Sequence, residues 1–213
     1  MESEESPKDP YRIVTCAELR EVIPEPNPLL EAKVFDHVDR HAAAFVARAP
    51  IVFLATGDRN GHLDVSPKGD APGFVKLADP RTLLVPERPG NQLAYGFRNR
   101  LERPQVGLVF VVPGVRETLR VNGAAEITRD PELLERLAAR GKPAVLATRV
   151  RVRESFFHCG RAFLRSALWK PDTWPQGVRL SVGRQLADKH GAGAEAAEAI
   201  DRGIEESYES GLY

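Results

Sequence analysis

The stretch IVFLATGDRNGHLDVSPKGD, residues 51–70, decides the fold class. Its first six residues are mostly β-branched, aromatic or aliphatic, the composition of a buried strand. Asn60-Gly61 follows, a hairpin signal in which both central positions take positive φ. Residues 63–67 then read as the returning strand, and Gly69, Pro72 and Gly73 as an irregular loop. Two β runs joined by a tight turn predict an antiparallel pair.

Further strand patterns cover residues 74–77, 82–85, 106–112, 118–127 and 144–154, with Asp79-Pro80 and Pro113-Gly114 as turns. Helices are predicted over 15–22, behind a Thr15/Glu18 capping box, over 90–101, after Asp130-Pro131, and over 155–168. Leu30, Val34, Val38, Ala42, Phe45 and Val46 recur at helical steps and form one apolar stripe, ended by Pro50. Residues 191–213, rich in Ala, Gly and Glu, read as a surface helical tail, and the polar residues 1–10 as a disordered lead-in. No repeat or strong linker divides the chain, so residues 1–213 are expected to be one domain. The strands follow one another through turns and do not alternate regularly with helices. The expected class is therefore mostly β with flanking helices, an antiparallel barrel of about six strands.

Composition excludes several functions. The 30 basic and 30 acidic residues cancel, which gives no footing for nucleic acid or a membrane surface. No apolar run reaches the ~20 residues of a spanning helix. The N-terminus lacks the pattern of a secretory signal. Cys16 and Cys159 are far apart and outside any Cys-x-x-Cys, so two reduced thiols in the cytoplasm are expected. His37 and His41 stand four apart on the expected helix but lack nearby Cys or carboxylate partners; no metal site is predicted. There is no Gly-x-Gly-x-x-Gly after a strand and no Gly-Lys-Ser/Thr loop, which removes the dinucleotide and P-loop readings.

Four segments carry polar chemistry. In residues 64–70, Ser66 offers a hydroxyl, Lys68 a charge and Gly69 an open backbone, a set that suits a phosphate or an ordinary polar turn. In residues 86–92, Arg88 precedes an expected helix start at Gly90, whose free N–H groups could meet the same anion; turn chemistry is the alternative. In residues 117–123, Thr118 could face a heterocycle, while Glu117 and Arg120 also suit a solvated cross-strand pair. In residues 157–169, Arg161 and Arg165 share a helical face, and Trp169, like Trp174 further on, could stack on a ligand or simply pack. His158 and Cys159 are adjacent and do not face each other.

In order and spacing, these segments resemble the pyridoxamine 5′-phosphate oxidase-like, FMN-binding split-barrel family, over residues 42–174. The resemblance is carried by Val-Ser-Pro-Lys-Gly-Asp at 65–70, Arg-Pro-Gly-Asn-Gln at 88–92, Pro-x-Val-Gly-Leu-Val-Phe at 104–110, Glu-Thr-Leu-Arg-Val-Asn-Gly at 117–123, and Phe-His-Cys-x-x-Ala-x-x-Arg-Ser-x-Leu-Trp at 157–169. It implies a six-stranded split barrel, a homodimer, and two FMN sites built from both subunits. Val65, Ser66, Pro67 and Lys68 would contact the flavin and its phosphate, with Pro86 beside them. Thr118 would lie near the isoalloxazine, and Lys68 or Arg120 would supply part of the field that stabilises the reduced flavin. His158, Arg165, Ser166 and Trp169 would come from the second subunit. Asn91 and Gln92 fall where the oxidases place an Arg-Lys pair on the phosphate, so Lys68 and Arg88 would supply the charge. The oxidases' Arg-Leu-His-Asp-Arg segment has no counterpart, since residues 179–183 read Arg-Leu-Ser-Val-Gly. Pyridoxamine phosphate is thus not the expected substrate.

The activity implied is an FMN-dependent oxidoreductase passing a hydride at flavin N5 to or from a small molecule, with the catalytic residues left open. Two alternatives stand beside it. One is a non-catalytic flavin or haem binder or sensor, with His158 the obvious axial candidate. The other is a barrel that has lost its cofactor.

Overall fold

The computed structural model describes residues 9–90, 92–178 and 180–213. The expected lead-in lies mostly outside them. The chain forms two compact units, divided after Val34.

In the first unit, α1 (Cys16–Val22) opens on the expected capping box. Thr15 Oγ1 accepts from the Glu18 amide at 3.2 Å, and Glu18 Oε2 accepts from the Thr15 amide at 3.2 Å. A short α2 (Pro28–Glu31) starts from Asn27.

In the second unit, α3 (Arg40–Val46) is capped by Asp39. The expected single stripe is therefore split: Leu30 belongs to α2, while Ala42, Phe45 and Val46 belong to α3. The cause is visible at Phe35, which forms a β-bridge with Ser155 and so cannot be helical. His37 precedes α3 and bonds to Asp36, so it does not share a helix with His41.

Among the described residues there are seven strands where six were expected: β1 (Ile51–Gly57), β2 (Leu63–Gly69), β3 (Lys76–Asp79), β4 (Thr82–Glu87), β5 (Gln105–Val111), β6 (Thr118–Thr128) and β7 (Leu146–His158). The short edge strand β3, read from the sequence at 74–77 and shifted here by two residues, pairs only with β4 and takes the count past the six of the expected barrel. All neighbours are antiparallel, in the order β2-β1-β5-β6-β7-β4-β3. The β1–β2 turn is wider than a two-residue hairpin. Asp58 N–H donates to His62 O at 3.0 Å, and of Asn60 and Gly61 only Gly61 is left-handed, at φ 87°.

Alternation along the strands buries one face. Val52, Leu54, Phe110, Leu119, Val121 and Val150 are almost wholly excluded from solvent and form the barrel core, with Ala42 and Val46 of α3, and Val38 just before it, packed on it. Burying each Val, Leu or Phe side chain among them contributes roughly 1.5–3 kcal/mol.

Two helix predictions are corrected. α4 (Tyr95–Glu102) starts later than residue 90, because Gln92 (φ 62°) and Ala94 (φ 56°) are left-handed and keep the approach non-helical. Residues 155–158 are strand, not helix: Leu119 and Thr118 pair with Phe157 and His158, and the aromatic run suits a sheet. Helix resumes only as α6 (Arg161–Arg165), after α5 (Pro131–Arg136), which Asp130 caps as expected. The tail is a helical hairpin of α7 (Val182–His190) and α8 (Ala194–Ser210), joined through Gly191–Gly193. No described helix is long and apolar enough to cross a membrane.

Candidate functional site

The candidate site lies where the ends of β2 and β4 meet. Side chains two apart share one face of a strand, so β2 presents Asp64, Ser66 and Lys68 together, half-buried, and turns Leu63, Val65 and Pro67 outward. β4 ends in the buried Glu87, followed by Arg88. β2 and β4 are not ladder neighbours. Two ion pairs bridge them instead: Lys68 Nζ to Glu87 Oε2 at 2.8 Å and Arg88 Nε to Asp70 Oδ2 at 2.7 Å.

Each pair recruits more groups. Glu87 Oε1 accepts from the Thr148 hydroxyl of β7 at 2.8 Å and meets Arg100 Nη2 of α4 at 3.5 Å. Lys68 and Arg100 both lie over the Phe97 ring, at 5.4 and 4.7 Å from its centroid. Arg88 Nη2 donates to Leu137 O at 3.0 Å. Asp70 Oδ1 accepts from the Tyr213 hydroxyl at 2.8 Å and from the Ala71 amide at 2.7 Å. Tyr213 is held in turn by Arg140, 4.6 Å above its ring, and by Lys142, whose Nζ donates to Tyr213 O at 2.5 Å.

These contacts tune the groups. Burial pushes the Asp70 carboxyl upward, but the Ala71 amide, the Tyr213 hydroxyl and Arg88 outweigh it, and the carboxyl stays below the ordinary aspartate range. The Tyr213 phenol is raised, chiefly by its bond to Asp70. Burial lowers Arg100, with Glu87 and Asp64 acting against it. Three guanidinium nitrogens of the seam (Arg88 Nη1, Arg100 Nε and Arg100 Nη1) are buried without a hydrogen-bond partner among the described residues. Such orphaned donors are uncommon and point to an acceptor that completes them.

Two cavities open on the seam. One, of about 630 Å³, is walled by Ser66, Lys68, Glu87, Arg88, Gln92 and Arg100, with apolar surface from Val65, Pro67, Leu93 and Phe97. The other, of about 790 Å³, shares Ser66, Pro67, Lys68 and Arg88, adds Pro86 and Arg140, and is closed by Tyr208, Leu212 and Tyr213 of the tail. Both volumes fall in the range of small-molecule and cofactor sites, about 300–1,000 Å³.

The structure thus gathers Val65, Ser66, Pro67, Lys68, Pro86, Arg88 and Gln92 around one cleft. Asn91 lies outside the described residues. Arg88 does not adjoin a helix start, which comes at Ala94. Thr118, Arg120, His158, Arg165, Ser166 and Trp169 are not in the walls of either cavity. The row Lys68, Val52, Phe110, Leu119, Phe157 puts His158 four strand spacings away, about 19 Å along the sheet. Thr118 is buried there, Arg120 lies 5.3 Å from the Phe156 ring, and Trp169 Nε1 donates to Val115 O at 2.8 Å. His158, Arg165 and Ser166 are exposed. Sequence reading missed Arg100, Glu87 and Tyr213. The three-residue step from Phe97 to Arg100 was the available signal, since it places both on one face of α4.

Sheet order and seam contacts together define a curled antiparallel barrel with a cation-lined cleft. Residues 38–159 match the family model described as pyridoxamine 5′-phosphate oxidase, and the chain belongs to that family. No curated protein matches the chain. Among solved structures it is similar to HupZ of Group A Streptococcus, with 18% identity over 56% of this chain and 93% of that one and a TM-score of 0.46. It is also similar to an FMN-binding protein of Syntrophomonas wolfei, with 11% identity over 66% and 95% of the two chains and a TM-score of 0.45. A Clostridium acetobutylicum protein related to general stress protein 26 is 16% identical over 56% and 86%, with a TM-score of 0.41.

Proposed function

We propose that the seam cleft holds FMN, and that the protein is a cytoplasmic, homodimeric FMN-dependent oxidoreductase acting on a small molecule other than pyridoxamine phosphate. The observation that carries this reading is the set of buried, unpartnered guanidinium nitrogens of Arg88 and Arg100 beside Ser66 and Lys68. An anionic, carbonyl-rich group fits such donors, and the family assignment supports a flavin. When bound, the flavin supplies hydride transfer at its N5.

The residues have distinct tasks in this reading. Ser66 and Lys68 grip the phosphate, with Arg88 steadied by Asp70 beside them. Val65, Pro67 and Pro86 pack against the ring, and Gln92 closes the rim. Thr118 and Arg120 lie three strands from β2 and His158 four, with Arg165, Ser166 and Trp169 following His158 in the chain, so a second copy would have to bring them to the ligand. The exposure of Leu63 and Val65 on β2 and of Leu164 and Leu168 near α6 gives that copy apolar surface to cover.

The test is spectroscopic. The purified protein, mixed with FMN, should show flavin bands and quenched fluorescence, and should run as a dimer. Lys68→Ala should lose about 1.5–3 kcal/mol of FMN affinity. A protein that ignores FMN would remove the reading.

A further inference from the structure

We infer that Arg100 is an anion-binding residue of the cleft, closing with Lys68 on the phosphate of the ligand; this rests on the FMN reading above. Its side chain is 1% exposed, yet it lines the same cavity as Ser66 and Lys68. Its one side-chain acceptor among the described residues, Glu87 Oε1, stands at 3.5 Å, the outer limit of a hydrogen bond, and already takes the Thr148 hydroxyl at 2.8 Å. Glu87 Oε2 is committed to Lys68 at 2.8 Å. One carboxylate therefore serves two cations, with Asp64 acting on Arg100 only through its field.

A buried guanidinium is costly unless its charge and its donors are met. Nε and Nη1 of Arg100 are both orphaned, and the Phe97 ring meets the cation without accepting a conventional N–H···O bond. A phosphate monoester supplies what is missing: a second negative charge and several acceptor oxygens that match the planar fork of an arginine. Arg88 is the weaker candidate, because Asp70 and Leu137 already occupy Nε and Nη2.

Riboflavin, which lacks the phosphate, separates this assignment from the cofactor reading. FMN and riboflavin are titrated by fluorescence quenching into the full-length wild type, Arg100→Met and Arg100→Lys. The wild type is expected to prefer FMN. Arg100→Met should weaken FMN about 10- to 100-fold and leave riboflavin unmoved. Arg100→Lys, which keeps the charge and loses the fork, should fall between them and reports alone if Arg100→Met does not fold. An FMN-to-riboflavin ratio unchanged by either folded variant overturns the role of Arg100, as does a wild type that binds both flavins equally. A wild type that binds neither overturns the FMN reading as well.

Discussion

Lys68 Nζ and Glu87 Oε2 stand 2.8 Å apart and join β2 to β4, two strands with no backbone ladder between them. The contact does two things at once. It curls the sheet toward closure, and it holds a lysine at the mouth of a cavity with one solvent-facing side.

Glu87→Gln tests the first role. The amide preserves shape and can still accept from Thr148, but it leaves Lys68 and Arg100 without their shared carboxylate. Breaking a buried pair by removing one partner costs about 3–5 kcal/mol. Lys68 retains 22% side-chain exposure, so the lower end is expected. Urea unfolding measures it. A loss under about 1 kcal/mol, the scale of a surface pair, would mean that packing alone closes the seam.

Tyr213 and Asp70 give the site a pH signature. The folded Asp70 carboxyl lies below its ordinary value, so its contribution to stability is present above the unfolded value, near 3.9, and is lost as pH falls through the folded one. Tyr213→Phe removes one of the bonds that lower it. The variant's Asp70 should titrate higher, and acid unfolding, followed by circular dichroism, should begin at a higher pH than in the wild type. An unmoved acid transition would mean that Ala71 and Arg88 hold the carboxylate unaided.

Asp58 offers a second, local titration. Its bond to the His62 ring is the main cause of a carboxyl lowered to about 2; desolvation opposes it, and the His62 and Asn60 amides add to the lowering. The turn it organises should keep its stabilising bonds above the ordinary aspartate range and lose them as pH falls through about 2. Asp58→Asn should quicken amide exchange at Asn60 and His62 at neutral pH, while the β1 core amides stay protected. Equal protection in the two proteins would show that the turn does not depend on the carboxylate.

How far the sequence could be read depended on range. Asp64, Ser66 and Lys68 share a face through the period of a strand, so that cluster was visible within five residues. The Thr15 and Asp130 caps were visible for the same reason. Residues 155–158 misled because their strand state comes from Thr118, Leu119 and Phe35, far away in the chain. Arg100 looked like one more polar residue in a charged helical run, and only the buried Glu87 gives it meaning. The Tyr213–Asp70 bond spans 143 residues and has no local signal at all.

Gly183 controls the tail that carries Tyr213. A Cβ at this position would stand 2.0 Å from Ala197 O and 2.8 Å from Asp201 Oδ1, so α7 and α8 can cross here only over a glycine. Asp201 fastens the crossing, accepting from the Ser181 hydroxyl at 2.5 Å and from the Gly183 amide at 2.7 Å. Backbone cannot yield as a flexible side chain would, so Gly183→Ala should part the helices and cost about 1–3 kcal/mol or more. The barrel core shares none of these contacts. The expected result is faster proteolysis across residues 191–193 and loss of protection in α8, with the amides of Val52, Leu54 and Val121 unchanged. Because Tyr208, Leu212 and Tyr213 wall the larger cavity, parting the helices should also open it to solvent. A variant whose tail resists protease like the wild type would show that α8 is held by contacts other than the Gly183 crossing.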